Sequence, residues 1–188
     1  MDKKRARTTL DSLALGLTLL GGLARLVPHP PNFTPVGGMS LFAGSRLRGW
    51  QAYLVPLLLM LATDPILSAT MGFPAYSRVS LFVYGSFLVN VWIGRRWLQT
   101  PTTRRLLGAA CLSSLQFFLV TNAGAWLVEG MYPHTLAGLL AAYVAAIPFY
   151  GRTLASDLLY SGVLFSLHAW MRRLPRFAGA LPARNEIR

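Results

Sequence analysis

The sequence predicts an all-α integral membrane protein, a bundle of six transmembrane helices with both termini in the cytoplasm. Three observations carry this reading. Hydrophobic residues make up 54% of the 188 residues and the mean hydropathy is +0.46, too apolar for a water-soluble domain of this length. Six apolar runs are bounded by Arg, Pro or Gly, on the scale of the roughly 20 helical residues that one bilayer crossing needs. The 18 Lys and Arg, set against 6 Asp and Glu, collect between alternate runs, which points to a membrane and away from nucleic acid or a disordered chain.

The first run, residues 13–27, follows a basic segment over residues 1–12 and ends at Pro28. Arg25 and Pro28-His29-Pro30-Pro31 stand where a secretory signal would carry a small-residue cleavage site, so this run reads as a retained span. The second, residues 36–47, is short and rich in Gly and Ala; the third covers 51–70, the fourth 81–97, the fifth 106–129 and the last 153–170. Residues 135–147 are apolar but short and are closed by Pro148, so they predict a helix packed on the bundle or dipping part way into it. The spans form one membrane domain over residues 13–173, followed by a polar cytoplasmic tail over 174–188.

Charge fixes the orientation. With the N-terminus inside, 15 of the 18 basic residues fall in cytoplasmic segments, and only Arg25, Arg78 and Arg152 lie near the outer face. A seventh crossing at 135–147 would put the cluster Arg172, Arg173, Arg176, Arg184 and Arg188 outside and break that asymmetry. Trp50, Trp97 and Trp170 fall at inner span ends, the level of the lipid headgroups. Cys111 is the only cysteine, which excludes an internal disulfide framework, and it reads as a packed residue of the fifth span.

Polar residues within apolar spans are costly, and here they gather toward the outer side. His29, Asn32, Asp64, Ser80, Tyr84, Asn122, Trp126, Arg152 and Asp157 all fall in outer loops or outer helix halves, which suits capture of a solute from that side. Ser80 and Tyr84, then Asn122, Trp126 and Glu129, then Asp157, Tyr160 and Ser161, recur at helical spacing as three polar stripes at one depth. The alternative for each stripe is interhelical hydrogen bonding, about 0.6 kcal/mol per contact on average in membranes. Asp64 precedes Pro65 and can accept from backbone groups freed there, while Asp157 can pair with Arg152 or Arg78 across the outer mouth. Four prolines in Pro28 to Pro35 make that loop a stiff shelf, with His29 at its entrance as a hydrogen-bonding group or metal ligand. Ala14, Thr18 and Gly22 form a small-residue stripe suited to close contact with another helix of the bundle or with a partner subunit.

Enzyme signatures are sparse. There is no nucleophile elbow, phosphate loop or zinc helix motif, and the flanks of Asp64 and Asp157 lack the contexts of intramembrane aspartyl proteases. With no nucleotide-binding module, this chain cannot drive transport by hydrolysing ATP itself.

Several strings together resemble a known group: Leu26-Val27-Pro28-His29-Pro30-Pro31-Asn32-Phe33-Thr34-Pro35-Val36, Phe82-Val83-Tyr84-Gly85-Ser86-Phe87, Thr121-Asn122, and Tyr132-Pro133-His134-Thr135-Leu136-Ala137-Gly138-Leu139. From about residue 13 to 170 the chain is similar to small bacterial transport proteins of the kind that includes the substrate-binding S-components of energy-coupling-factor (ECF) transporters, and most of all to BtuM-type solitary S-components. The resemblance implies six helices with a ligand near the outer face of the bacterial inner membrane, cobalamin (vitamin B12) or a related corrinoid as that ligand, no intrinsic cofactor, and an ECF coupling module as partner unless the protein works alone. Carried over by position, His29, Asp64, Tyr84 and Arg152 would line the corrinoid pocket, with His29 or Ser80 as the side chains facing cobalt. Where the cobalamin type carries a cysteine just before the fourth helix, this chain has Arg78-Val79-Ser80-Leu81, and its Ala14, Thr18, Gly22 stripe departs from the Ala-xxx-Ala pattern used for docking on the coupling subunit. Read from the residues alone, the outer site also suits thiamin, a deazapurine precursor or a heme-like macrocycle. An enzyme acting on the corrinoid, and an assembly protein whose stripes are only packing, are the competing classes.

Overall fold

The computed structural model describes residues 3–72 and 74–174, with side chains from residue 10 onward. The polar tail expected over 174–188 lies, apart from Leu174, outside the described residues. The described chain is all-helical: α1 (Lys3–Leu23), extended by a 3-10 turn (Ala24–Leu26), α2 (Val36–Arg46), α3 (Gln51–Met71), α4 (Ser80–Trp97), α5 (Thr103–Val128) and α6 (Leu136–Met171). Local chemistry sets the ends. The hydroxyls of Thr102 and Thr135 accept from the backbone N–H groups of Arg105 and Gly138 at the starts of α5 and α6. Gly72 closes α3 at φ +77°, a left-handed conformation that costs glycine little, with its N–H on the Ser68 carbonyl.

Three helices, α3, α5 and α6, are long and apolar enough to cross a membrane. The surface agrees, for Leu81, Leu136 and Val144 are 78%, 73% and 64% exposed, an arrangement that belongs in lipid. The chain is a membrane protein.

The centre of the bundle is α2. Every residue from Val36 to Ser45 is buried, and the helix packs against α1, α3, α4, α5 and α6. Glycines permit this: a Cβ on Gly44 would lie 1.9 Å from the Val91 carbonyl oxygen of α4, one on Gly94 would lie 2.1 Å from the Leu41 carbonyl oxygen, and one on Gly38 would lie 2.7 Å from the Ser161 nitrogen of α6. The small-residue character read in the second run is therefore the condition for its enclosure. At 11 residues α2 is about 16 Å long, however, and so does not by itself cross a hydrocarbon core of about 30 Å. The proline-rich loop leads into it, and its last residue, Pro35, is buried with α2.

One other expectation is corrected. Residues 135–147 are not a separate helix closed by Pro148. They are the first part of α6, which runs unbroken through Pro148 for 36 residues, about 54 Å. Packing on both sides, through Gly138, Ala142 and Ala146 before the proline and Ser156, Asp157 and Ser161 after it, outweighs the loss of one backbone donor. Of the two contacts open to the stripe of Ala14, Thr18 and Gly22, a helix of the bundle or a partner subunit, the fold supplies the first: Ala14 and Thr18 are 2% and 0% exposed, and a Cβ on Gly22 would lie 2.6 Å from Leu59 of α3. Its partner is this chain's own bundle.

Candidate functional site

The C-terminal ends of α1 and α3 and the N-terminal end of α4 meet at the end of the bundle opposite Trp50, Trp97 and Trp170. There they enclose a cavity of about 490 Å3. The proline-rich loop forms one wall through His29, Pro31, Asn32 and Thr34, and the floor is apolar, with Met60, Leu67, Phe87 and Phe117. Such a volume and lining, apolar with a few placed polar groups, is typical of small-molecule sites.

One polar network ties the walls together. Asp64 on α3 forms an ion pair with Arg25, Nη1 to Oδ1 at 2.8 Å. Arg25 also donates to the Thr63 hydroxyl at 2.9 Å, and the Tyr84 hydroxyl on α4 donates to Asp64 Oδ2. Asp64 thus holds α1 and α4 together through two different oxygens instead of accepting from freed backbone. The carbonyl that Pro65 leaves without its helical donor, that of Leu61, accepts from the Tyr76 hydroxyl at 2.8 Å. Two buried polar atoms beside the cavity, Arg25 Nε and Thr34 Oγ1, have no partner. The sequence by itself marks Arg25 only as an outer-face charge. Its signal was available: a lone arginine at the far end of an apolar run, against the charge asymmetry, needs a counter-charge, and Asp64 is the carboxylate of the third run.

The loop's shape follows from its residues. Pro31 and Asn32 occupy the centre of a turn closed by the Phe33 N–H on the Pro30 carbonyl at 3.0 Å, with Asn32 at φ +63°. Proline followed by a residue with positive φ is the type II pattern, and asparagine tolerates that conformation better than most. Both ring nitrogens of His29 lie 3.1 Å from carbonyl oxygens, those of Pro30 and Arg25. A neutral ring donates to only one of them, and ligation of a metal by either nitrogen requires the ring to leave its carbonyl. Ser80 lines the cavity while its hydroxyl accepts from the Ser77 N–H at 2.9 Å.

The cavity therefore gathers His29, Asn32, Asp64, Ser80 and Tyr84. The other candidates are elsewhere. Asn122 lines a neighbouring cleft of about 110 Å3 that shares Asn32 and Phe117 with the cavity, and its amide donates to the Phe118 carbonyl at 2.7 Å. Trp126 holds a loop, its indole donating to the Pro133 carbonyl at 2.8 Å while His134 donates to the Trp126 carbonyl at 3.0 Å. Arg152 is exposed and outside the cavity lining.

Asp157 is the clearest displacement. It is 2% exposed in the core, and no ion pair joins it to Arg152 or Arg78 among the described residues. Because α6 begins at Leu136, Asp157 lies about 32 Å along it, far below the mouth expected for the start of a separate last span. Its Oδ1 packs on Gly37, where a Cβ would lie 1.9 Å away. Its Oδ2 meets Ser114 Oγ at 2.8 Å and Ser113 Oγ at 3.4 Å. Ser114 Oγ is also 2.9 Å from the Ala110 carbonyl, and a single hydroxyl proton cannot serve both acceptors. Cys111, read as packed, is exposed on the outside of α5. No cluster of metal-ligating side chains occurs among the described residues.

The model of one protein family, described as a family of unknown function (DUF6580), matches residues 5–179. No curated protein and no solved structure matches the chain.

Proposed function

The chain belongs to the DUF6580 family, and we propose that it is a multi-pass protein of the bacterial inner membrane that captures a vitamin-sized solute from the outer side for uptake. The observation that carries this is the 490 Å3 cavity, walled by a rigid proline loop, floored by apolar residues and bordered by the unpartnered Arg25 Nε and Thr34 Oγ1. Six spans with both termini inside would set this mouth outward, in line with the Lys and Arg asymmetry. Cobalamin or a related corrinoid is the ligand favoured by the resemblance to S-components. His29, Asn32, Asp64, Ser80 and Tyr84 are then its contacts, with an ECF coupling module as partner or none.

A specific observation favours a second reading. A cavity of this size holds a ligand of thiamin dimensions whole, but only an edge of a corrinoid, and Ser80 offers an oxygen where a thiolate would bind cobalt. The deciding experiment is an absorbance spectrum of detergent-purified protein after incubation with cobalamin and removal of free ligand. About one equivalent of retained corrinoid, lost in Tyr84→Phe and Asp64→Ala but kept in Arg152→Ala, supports the first reading. No retained colour in folded protein refutes it and directs the same assay to radiolabelled thiamin.

A further inference from the structure

At the opposite end of the bundle, a second cavity of about 270 Å3 lies between α1, the end of α2 and the end of α6, and its lining includes Asp11, Arg46, Arg48, Gln99, His168 and Arg172. Three arginines share this space with one acid. Asp11 is spent on Arg48, Oδ1 to Nε at 3.2 Å, at the exposed rim. Deeper in, Arg46 and Arg172 have no acidic partner among the described residues, and the Nε atoms of both are buried without any hydrogen-bond partner. Arg46 is otherwise held loosely, by a 3.4 Å contact of Nη1 to the Gln99 carbonyl and by stacking 5.4 Å over the Phe165 ring.

Arginines at the ends of α2 and α6 do complement the negative ends of those helix dipoles. That role is fulfilled by charge in solvent, and does not require two guanidinium groups without an acidic partner to line one shared hollow. Two like charges brought together there lack what a planar donor fork binds best, an anion with several acceptor oxygens.

Depth identifies the anion's source. Trp50, Trp97 and Trp170, each 46% or more exposed, sit within a few residues of Arg48, Gln99 and Arg172, and exposed tryptophans mark the headgroup level of a bilayer. We infer that this cavity is a phosphate site, formed by Arg46 and Arg172, that takes the headgroup phosphate of an anionic phospholipid. It does not depend on what the opposite cavity binds.

The test uses the full chain in mild detergent, with phosphatidylglycerol or phosphatidylcholine added and retention read by native mass spectrometry. Inorganic phosphate is titrated in parallel against thermal unfolding. One phosphatidylglycerol per chain is expected, retained in preference to phosphatidylcholine, and bound about thirtyfold more weakly by Arg46→Gln/Arg172→Gln. Arg96→Gln/Arg104→Gln removes the same charge from exposed positions of α4 and α5 and should bind as the parent does. Stabilisation by phosphate in the parent, abolished in the first double variant and without lipid preference, would keep the phosphate site and assign it to the free anion. No lipid preference together with no phosphate stabilisation of the parent overturns the inference, as does equal weakening in both double variants.

Discussion

Replacing Asp64 by asparagine preserves shape and an acceptor for Tyr84 but leaves the Arg25 guanidinium without its counter-charge. The two side chains are only 13% and 14% exposed and meet at 2.8 Å, so water screens the pair weakly. At an effective dielectric of about 20, charges some 4 Å apart attract by about 4 kcal/mol, and removing one member of a buried pair typically costs about 3–5 kcal/mol. The open cavity beside Arg25 places the cost near the lower end, about 3 kcal/mol, which for a chain of this length is a fall of about 6–12 °C in melting temperature. Removing both charges tests the cause. Arg25→Met/Asp64→Leu deletes the unpaired cation along with the acid and should melt within about 4 °C of the parent, because a buried pair and an apolar replacement are often nearly equal in stability. The assay is thermal unfolding followed by circular dichroism in one detergent at fixed pH. A melting temperature for Asp64→Asn within about 1 °C of the parent, or a double variant as unstable as the single one, would refute the claim that this pair braces α1 against α3.

Two further outcomes follow from the same geometry. Gly44→Ala puts a methyl group 1.9 Å from backbone at Val91, so α2 and α4 must part and stability should fall by about 1–3 kcal/mol or more, whereas Gly85→Ala, with nothing within 4 Å, should leave the melt unchanged or slightly raised.

Much of the helical order was legible because apolar runs and their punctuating charges are local properties of a chain. Run length failed where tertiary packing decided. Pro148 looked like a terminus, since sequence shows the missing donor but not the buried faces of α6 on either side of it. That single misreading carried Asp157 to the mouth when it belongs in the core. The glycines of the second run announced close packing without revealing that the helix would be enclosed on all sides. Within the site, polar residues near the outer face were visible as a set, and the cavity unites those on the proline loop, α3 and α4. The stripe on α5 spaced correctly along its own helix, yet Asn122 and Trp126 satisfy backbone carbonyls outside the cavity. Periodicity fixes which side chains share a face, but not what that face meets.

The enclosure of α2 bears on how the protein is made. A segment of 11 residues that follows a proline loop and ends in Arg46, with Arg48 just beyond, is a poor substrate for independent insertion into lipid as a spanning helix. Most of its contacts come from α4 and α6, which are synthesised later, so its final seat is incomplete when it leaves the ribosome. Assembly must then proceed from the outside inward: the long apolar helices establish the frame in the bilayer, and the short glycine-rich segment between α1 and α3 is drawn into the gap they leave.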